Sequence, residues 1–489
     1  MIYQSTRSNY SSSDVRAVLD GIAPDGGLFV DPALADRAFD WMSCLRLPPL
    51  GMAEMVLKQM LPGFDNMGEL VYRSYVGKFD TPELTPLVPV GEDYSLELFH
   101  GPTSAFKDVA LSVLPQLIKQ ARCQTGEKRE TLILTATSGD TGKAALEGFR
   151  DIPGIRIAVF YPAGGVSKVQ ESQMITQEGK NVAVCAVRGN FDDCQRSVKE
   201  CFAVLKGQSD IALSSANSIN IGRLAPQLVY YFIAYAKLCE HGRIKAGDQV
   251  DYVIPTGNFG DILAGYLAGR LGLPIGKLVC ASNANRVLTD FFETGIYDRR
   301  RDFIRTASPS MDILVSSNLE RLLYYAQDGD TNAVAAWMDK LNRDGYYRLP
   351  ETTMAKLRDV FWAFSCSEAE CSETIQKISR DYGYICDPHT AVAFHAAEQF
   401  RRRSQTKNPI VVLSTASPFK FPGFVLQSIG APVPNNEFEQ MEMLHLQTGL
   451  PIPYNLSSLQ RAVIRHRDVI DRDKIIDYTL QLMGGGREL

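Results

Sequence analysis

The chain has 489 residues, of which 45% are hydrophobic and 22% charged, and its 51 Lys and Arg residues against 56 Asp and Glu residues give a net charge of −5. This composition is that of an ordinary globular protein, and it excludes a fibrous or largely disordered chain. The mild acidity excludes a dedicated binder of nucleic acid or of anionic membranes, because such affinity depends on dense positive charge.

The sequence also gives no sign of membrane insertion, export or a metal centre. The most apolar stretch, near residues 228–236, is far shorter than the ~20 residues that a membrane span needs, and the N-terminus lacks the apolar core of a signal peptide. None of the ten cysteines forms a Cys-x-x-Cys motif, and there are only six histidines. We therefore expect reduced thiols, no metal site and a cytoplasmic location.

Taken in chain order, the predicted elements change character after a mostly helical first segment. Residues 1–90 have helical patterns interrupted by glycine and proline turns. Short apolar runs then alternate with helical patterns, and a final weakly patterned stretch follows from about residue 432. The apolar runs begin at Thr131, Ile155, Asn181, Asp251, Lys277 and Ile410. Such alternation indicates βαβ units and parallel sheets covered by helices on both faces.

The loop after the run at Asp251 has the pattern of a phosphate-binding turn. Gly257 and Gly260 stand between a strand and a helix. Glycine allows the backbone to approach a ligand closely, and a helix N-terminus favours an anion. The alternative is a plain glycine turn with Asp261 capping the next helix.

Two further loops lead into helices at the same predicted sheet edge. Residues 135–143 fail as a nucleotide P-loop, because Thr137 stands where glycine is required and Ala144 follows Lys143. That loop fits either a capping turn or a carboxylate site. The loop at Gly164 to Lys168 offers an N-cap and a cation, so three helix N-termini together favour an anionic ligand.

Lys107 lies in an apolar setting near a predicted helix start. A partly buried lysine has a lowered pKa and can form Schiff bases, whereas most lysines only lay their stems on the surface. The tetrad from Ser104 to Lys107 also matches the Ser-x-x-Lys of penicillin-recognising enzymes, but the chain has no Lys-Thr-Gly. His100, His389 and His395 lack metal-ligand spacing and are expected to be structural.

Together these segments resemble the threonine synthase family, pyridoxal-phosphate enzymes of the tryptophan-synthase-β fold type. The matching segments keep the order of the family from about residue 3 to about residue 430. They are Pro24-Asp-Gly-Gly-Leu28, Leu98-Phe-His-Gly-Pro-Thr-Ser-Ala-Phe-Lys107-Asp108, Ala136-Thr-Ser-Gly-Asp-Thr-Gly142, Asn217-Ser-Ile-Asn220 with Arg223, Pro255-Thr-Gly-Asn-Phe-Gly-Asp261, Ser316-Ser-Asn-Leu-Glu-Arg321 and Thr415-Ala-Ser-Pro-Phe-Lys-Phe421. Two positions depart from the expected pattern. Ser417 stands where the family often has His, and Pro115 should kink or shorten the helix after Lys107.

The resemblance implies an α/β fold with two open, mostly parallel sheets covered by helices, as in fold-type II pyridoxal-phosphate enzymes, preceded by an N-terminal helical segment. We expect that segment over residues 1–90. A smaller, mobile α/β domain with the lysine segment near its edge is expected over 91–225. A larger α/β domain with the cofactor-phosphate loop and a C-terminal tail is expected over 226–489.

The activity that the resemblance implies is conversion of O-phospho-L-homoserine and water to L-threonine and phosphate, by γ-elimination and β-addition of water. Lys107 resembles the Schiff-base lysine that also moves protons. The expected cofactor-binding residues are Lys107, Gly257, Asn258, Phe259, Gly260, Asp261 and Thr415, with Thr415 facing the pyridine nitrogen. The expected substrate-binding residues are Ser138, Gly139, Asp140 and Thr141 for the carboxylate, and Ser167, Lys168, Asn217, Asn220 and Arg223 for the phosphate. The partner is a small molecule, and the chain is expected to be a monomer or homodimer.

Several other functions are compatible with parts of the sequence. A related phospholyase would stop after elimination and release a 2-keto acid, and a serine or threonine dehydratase has the same fold type. The cluster from Asn217 to Arg223 favours a phosphorylated substrate. A nucleotide-binding module is disfavoured by the failed P-loop match, and a non-catalytic scaffold would leave Lys107 free of cofactor.

Overall fold

Two parallel-stranded sheets carry the alternating strands and helices of the chain. The computed structural model describes residues 1–137, 139–205 and 211–483. The strands in these ranges are β1 (Ile2–Ser5), β2 (Ser11–Ser13), β3 (Phe29–Val30), β4 (Leu87–Val90), β5 (Asp93–Glu97), β6 (Glu130–Ala136), β7 (Ile155–Pro162), β8 (Val182–Arg188), β9 (Ile211–Ser214), β10 (Val250–Pro255), β11 (Ile275–Ser282), β12 (Ile296–Asp298), β13 (Tyr346–Arg348), β14 (Phe361–Ser365), β15 (Ile410–Ser414) and β16 (Asp468–Asp471).

Helices connect and cover these strands. In the same described ranges they are α1 (Asp14–Asp20), α2 (Trp41–Cys44), α3 (Pro49–Met60), α4 (Met67–Tyr75), α5 (Lys107–Leu111), α6 (Leu114–Thr125), α7 (Asp140–Phe149), α8 (Lys168–Ile175), α9 (Phe191–Leu205), α10 (Ile221–Leu224), α11 (Leu228–Glu240), α12 (Gly260–Arg270), α13 (Val287–Thr294), α14 (Leu319–Ala326), α15 (Thr331–Asp344), α16 (Glu351–Arg358), α17 (Glu368–Tyr382), α18 (Pro388–Ser404), α19 (Pro422–Ser428), α20 (Glu437–Thr448), α21 (Tyr454–Ser457) and α22 (Ile475–Met483).

The larger sheet has the strand order β14-β11-β10-β15-β5-β4 among the described residues. Its pairings are parallel except between β4 and β5 at one edge. In its centre Val253 of β10 pairs with Val279 of β11 and Val412 of β15. All six residues of β10 are buried, which is typical of a parallel strand covered by helices on both faces.

The smaller sheet has the order β16-β8-β7-β6-β9 in the described part of the chain, and all of its pairings are parallel. The strands β6, β7 and β8 are rich in Ile, Val, Leu and Ala and almost entirely buried. Two open, mostly parallel sheets covered by helices are therefore present, and this prediction of the fold class is confirmed.

Each of the two sheets takes strands from distant parts of the chain. The strand β5 belongs to the larger sheet, and the first strand of the smaller sheet in chain order is β6. The strand β16 returns to the smaller sheet from the far end of the chain, and α22 packs against α9 beside it. The first 90 residues contain helices α1 to α4 but also an antiparallel sheet of β2, β1 and β3.

The helix expected after Lys107 is divided in two. The helix α5 ends at Leu111, and α6 begins at Leu114 with Pro115 in its first turn. Proline is tolerated there because the N–H groups of the first turn have no partner within the helix. Separately, none of the helices that the structure describes combines the length and apolar character that crossing a bilayer requires.

Candidate active site

Lys107 is the first residue of α5 and is buried, with 8% of its surface exposed. The segment before it lies against the loop that follows β15. The N–H of Leu98 donates to the carbonyl of Ser414 and the N–H of Phe106 to that of Thr415, both at 2.9 Å. The carboxyl end of β15 therefore fixes the position of Lys107, and it places buried Thr415 beside the lysine segment.

Among the described residues, the carboxylate nearest the lysine amine lies at the outer limit of an ion pair. Its Nζ is 4.0 Å from Asp140 Oδ2 and 3.5 Å from Ser310 Oγ, and it lies over the Phe106 ring. Burial lowers the pKa of Lys107 to about 8, with Asp140 opposing the shift and the Lys420 charge adding to it. A lowered pKa makes the neutral, nucleophilic amine far more accessible near neutral pH than it is in an ordinary lysine.

Asp140 is already occupied by another buried lysine. Its Oδ1 lies 2.7 Å from the Nζ of Lys420, which is fully buried, and it accepts a hydrogen bond from Gln170 Nε2 at 2.9 Å. Although burial opposes it, the charges of Lys420 and Lys107 hold the pKa of Asp140 well below its usual value. Asp140 is therefore an anion between two lysines, and its negative side chain would repel a substrate carboxylate.

The other residues of that loop contribute backbone. Gly139 has φ +136°, and a Cβ there would lie 2.5 Å from the Gln170 side chain, so the turn requires glycine. The N–H groups of Asp140 and Thr141 find no acceptor among the described residues at the start of α7. Ser138 lies outside the described residues.

The glycine loop is tied to the rest of the protein through its carbonyl groups. Ser316 Oγ donates to the carbonyl of Gly257 at 2.7 Å, and the N–H and side-chain amide of Asn318 donate to that of Asn258. Phe259 has left-handed backbone geometry, with φ +62°. Within the described ranges, no acceptor is found for the N–H groups of residues 257–261. Several N–H groups at the start of a long helix, here the 11 residues of α12, form a favourable site for a phosphate group.

Asp261 contributes its backbone to this loop, while its carboxyl faces away into the core. Oδ1 accepts hydrogen bonds from Tyr230 at 2.5 Å and Tyr231 at 3.1 Å, and Oδ2 has no partner among the described residues. Burial raises the pKa of Asp261 to about 7, against the lowering effect of the two hydroxyls. The carboxyl is thus partly neutral near pH 7, which limits its repulsion of an anion at the loop.

Arg223 is a buried cation with no carboxylate partner in the described part of the chain. It is 4% exposed, its Nη1 donates to the carbonyl of Ala216 at 2.8 Å, and its Nε has no partner there. Burial lowers the pKa of Arg223 to about 10, and its charge also lowers the pKa of Lys107. A buried guanidinium without a counter-ion is costly unless a ligand supplies one.

Three of the residues predicted to bind the substrate phosphate have other partners. The Lys168 side chain is 75% exposed and pairs with Glu171, while the carboxylate of Glu437 accepts the N–H groups of Lys168 and Val169. The anion position at the start of α8 is therefore filled by the protein itself. The Ser167 hydroxyl forms a capping box with Gln170 in the same helix.

Asn220 has a structural role of the same kind. Its side chain caps α10 by accepting the N–H of Gly222, and it donates to the carbonyl of Val18 at 3.0 Å. These bonds engage both the oxygen and the nitrogen of the amide in holding the local structure. Asn217 remains beside it as a half-buried candidate.

Two residues of the site were not predicted. Lys420 stood inside the matched segment 415–421, and a lysine following a buried strand was an available signal. Ser310 had no comparable signal, because its loop does not follow a parallel strand. A Cβ at Gly257 would lie only 2.7 Å from the Ser310 carbonyl oxygen, so Ser310 contacts both the glycine loop and Lys107.

Comparisons with known proteins agree with this geometry. The family described as "Pyridoxal-phosphate dependent enzyme" matches residues 85–416, and "Threonine synthase, C-terminal" matches residues 390–448. The chain is 38% identical over 467 residues to threonine synthase-like 1 of Macaca fascicularis, covering 91% of this chain and 62% of that protein. The chain thus spans about three fifths of the length of that relative.

Threonine synthases themselves match over most of their length. The enzyme of Saccharomyces cerevisiae is 39% identical over 455 residues, covering 86% of this chain and 87% of the yeast protein. The crystal structure of pyridoxal-phosphate-bound threonine synthase from Brucella melitensis superposes with a TM-score of 0.86 at 35% identity, covering 99% of both chains. The chain therefore belongs to the threonine synthase family of pyridoxal-phosphate-dependent enzymes.

Proposed function

We propose that this chain is a threonine synthase that converts O-phospho-L-homoserine and water to L-threonine and phosphate. The observation that carries the proposal is the position of Ser310, which contacts both Lys107 and Gly257. It brings a buried, partly neutral amine close to a loop whose N–H groups have no acceptor among the described residues. An aldehyde and a phosphate on one cofactor require such a pair of sites.

The residues present fit pyridoxal phosphate. Lys107 would form the covalent link to the aldehyde, and the N–H groups of residues 257–261 would hold the phosphate. We assign the Thr415 hydroxyl to the pyridine nitrogen, on the basis of its burial beside the lysine segment. When bound, the cofactor supplies an electron sink for negative charge at the substrate α-carbon.

Lys107 would then move protons at the α- and β-carbons of the substrate. Its pKa of about 8 suits a group that must both accept and donate a proton near neutral pH. Asp140 remains charge-balanced by Lys420 when Lys107 is neutral. Asp140 therefore keeps its negative charge near Lys107. Because Lys420 balances that charge, Asp140 does not hold the proton on Lys107.

Two separate places would hold the anionic groups of the substrate. We assign the leaving phosphate to Arg223 and Asn217, because Arg223 is a buried cation in need of a counter-ion. We assign the substrate carboxylate to the N–H groups of Asp140 and Thr141 at the start of α7, with the Gly139 turn presenting them. Ser167, Lys168 and Asn220 are left out because their polar groups are used elsewhere.

We further propose that the chain works as a monomer or homodimer on a small-molecule substrate, without nucleic acid. All ten cysteine side chains are thiols in the structure. Free thiols in this number suit a reducing compartment, which supports a cytoplasmic location.

Product analysis tests the proposed function. Purified protein loaded with pyridoxal phosphate is incubated with O-phospho-L-homoserine, and threonine, phosphate and 2-oxobutanoate are measured. Threonine with equal phosphate is expected. Phosphate with 2-oxobutanoate would identify a phospholyase instead, and 2-oxobutanoate from L-threonine would identify a dehydratase.

The same preparation tests the lysine assignment. Borohydride should fix the cofactor to the peptide that contains Lys107, and Lys107→Ala should abolish turnover. The exposed Lys128 provides the matched control, since Lys128→Ala should leave labelling and turnover unchanged. Labelling of a different lysine would contradict the assignment.

A further inference from the structure

Ser310 lies in a turn that contacts the candidate site on two sides. Its Oγ is 3.5 Å from Lys107 Nζ, and its carbonyl oxygen would be 2.7 Å from a Cβ at Gly257. Any shift of this residue therefore alters the space around the amine and around the glycine loop together.

A buried histidine holds the peptide group of Ser310. The N–H of Ser310 donates to His389 Nε2 at 3.1 Å, so Nε2 is an acceptor and the ring proton must be on Nδ1. His389 Nδ1 lies 2.5 Å from Asp387 Oδ2, which accepts that proton. His389 and Asp387 are both buried, at 2% and 0% exposure.

Asp387 is itself fixed at the start of α18. It caps this helix by accepting the N–H groups of His389 and Thr390. Its two oxygens are thus committed to the helix and to the imidazole, which leaves the ring little rotational freedom. The chain Asp387–His389–Ser310 is continuous from a helix terminus to the reactive amine.

The rest of the turn is anchored independently. Asn283 Nδ2 donates to Ser308 Oγ at 3.0 Å and to Asp312 Oδ1 at 2.8 Å. These bonds hold both flanks of the turn but do not reach Ser310. Among the described residues, His389 is the side chain that binds the Ser310 backbone.

We propose that Asp387 and His389 are a positioning pair that holds Ser310 against Lys107 and the glycine loop. This inference deepens the proposed function, on which it rests for the role of Lys107. The pair touches neither the amine nor the loop, and Ser310 is the contact through which it reaches both. His389 also packs against the Phe421 ring, and Asp387 accepts from the Thr390 hydroxyl, which bonds to Ser414. Its loss should alter how the lysine and the loop bind the cofactor while leaving the fold in place.

The charges around Lys107 make the effect measurable. The groups that act most strongly on its pKa are Asp140 and Asp108, which raise it, and Lys420 and Arg223, which lower it. Neither Asp387 nor His389 is among these largest contributions. A changed pH dependence of cofactor linkage in a variant of the pair therefore reports movement of Lys107 relative to these charges.

Three substitutions separate positioning from packing. His389→Leu removes the acceptor for the Ser310 N–H, whereas His389→Gln can keep an acceptor near the Nε2 position. Asp387→Asn keeps the volume but must turn its NH₂ either toward Nδ1 or toward the helix N–H groups. Facing Nδ1, it would favour the tautomer with a proton on Nε2, which cannot accept from Ser310.

The test uses full-length protein stripped of cofactor and titrated with pyridoxal phosphate. The dissociation constant, the pH midpoint of the yellow linked form and the melting temperature are measured on each variant. His389→Leu and Asp387→Asn should weaken binding about tenfold and shift the pH midpoint, and His389→Gln should stay close to wild type. His395→Leu, on the same helix but away from Ser310, should change neither the dissociation constant nor the pH midpoint.

The outcomes are distinguishable. If His389→Leu and Asp387→Asn lower only the melting temperature and keep the wild-type dissociation constant and pH midpoint, the pair is merely structural and the inference is overturned. If His389→Gln loses as much affinity as His389→Leu, the hydrogen bond to Ser310 is not what matters, and the inference also falls. If wild-type protein does not link the cofactor at Lys107, the proposed function fails and this inference fails with it.

Discussion

The Nζ of Lys420 lies 2.7 Å from Oδ1 of Asp140, and both side chains are buried beside Lys107. Two lysines therefore share one carboxylate in the interior of the protein. Such an arrangement sets which of the two amines keeps its proton, because the closer ion pair belongs to Lys420.

Replacing Lys420 with Met should destabilise the protein and change the pKa of Lys107. Removing one partner of a buried ion pair costs about 3–5 kcal/mol where the other charge is left unpaired. In this variant Asp140 keeps only Lys107, whose Nζ is 4.0 Å away. Loss of the neighbouring cation should also raise the pKa of Lys107 above about 8. Urea unfolding measures the first effect, and the pH midpoint of cofactor linkage measures the second.

The double variant Asp140→Asn with Lys420→Met is the control for this prediction. It removes both charges, so it should regain much of the stability lost in Lys420→Met alone. A double variant as unstable as the single one would show that Lys420 stabilises by packing and not by its charge.

Lys107 should contribute more to the stability of the cofactor-free protein as the pH rises from about 8 towards 10. The pKa of Lys107 is lowered from 10.5 to about 8 in the folded state, chiefly by burial. Between these values the Lys107 side chain binds more protons in the unfolded chain than in the folded one, so its contribution to the free energy of unfolding increases with pH. The full gain is about 3 kcal/mol at 1.36 kcal/mol per pKa unit.

Lys107→Met should lack this rise because it has no proton to release. The measurement is the difference in unfolding free energy between wild type and Lys107→Met across the pH range, which cancels the titration of tyrosines and cysteines. A difference that stays constant from pH 7 to 10 would mean that the pKa of Lys107 is not lowered.

The two glycines of the cofactor loop should respond differently to alanine. At Gly257 a Cβ meets the Ser310 carbonyl at 2.7 Å, so Gly257→Ala strains the protein with or without cofactor. At Gly260 the nearest atoms are 3.6 Å from a Cβ, and they belong to the side-chain amides of Asn318 and Gln227. Gly260→Ala should therefore leave the melting temperature of the cofactor-free protein unchanged while weakening cofactor binding.

Thermal unfolding with and without pyridoxal phosphate checks both variants. The cofactor should raise the melting temperature less in Gly260→Ala than in wild type. An equal rise in the two proteins would place the cofactor phosphate elsewhere.

Arg223→Met should lower kcat/KM for O-phospho-L-homoserine by about 100-fold, or about 3 kcal/mol, because a fixed cation stabilises the departing phosphate most as its charge develops. Lys168→Met should have little effect, since that side chain is exposed and paired with Glu171. Steady-state kinetics and cofactor occupancy are measured on the same samples of both variants, so that loss of turnover can be told apart from loss of cofactor. Near-normal turnover in Arg223→Met would remove Arg223 from the site.

Much of the fold and the centre of the site follow from local patterns in the sequence. The strand–glycine–helix order around Gly257 and the apolar setting of Lys107 need only neighbouring residues to be read. The sequence does not indicate which distant residue forms a hydrogen bond with a given polar group. Lys168 looked available for an anion, but Glu437, 269 residues away, fills the helix N-terminus.

The same reason explains the other omissions. Asn220 is committed to Val18, and Ser310 to His389, 79 residues further along. No periodicity links such residues, because the contacts arise when separate loops meet at one sheet edge. The return of β16 to the smaller sheet has no local signal either, since its edge position lets it be short and half exposed.

This return of β16 has a consequence for synthesis of the protein. The strand β8 pairs on one side with β7, which precedes it closely, and on the other with β16, which follows about 280 residues later. At about 5–20 residues per second, β8 waits tens of seconds on the ribosome with one row of backbone groups unpaired. An unpaired strand edge is a template for association with other chains. The nascent chain therefore has its greatest need of a chaperone after the smaller sheet has begun to form and before residue 471 has emerged.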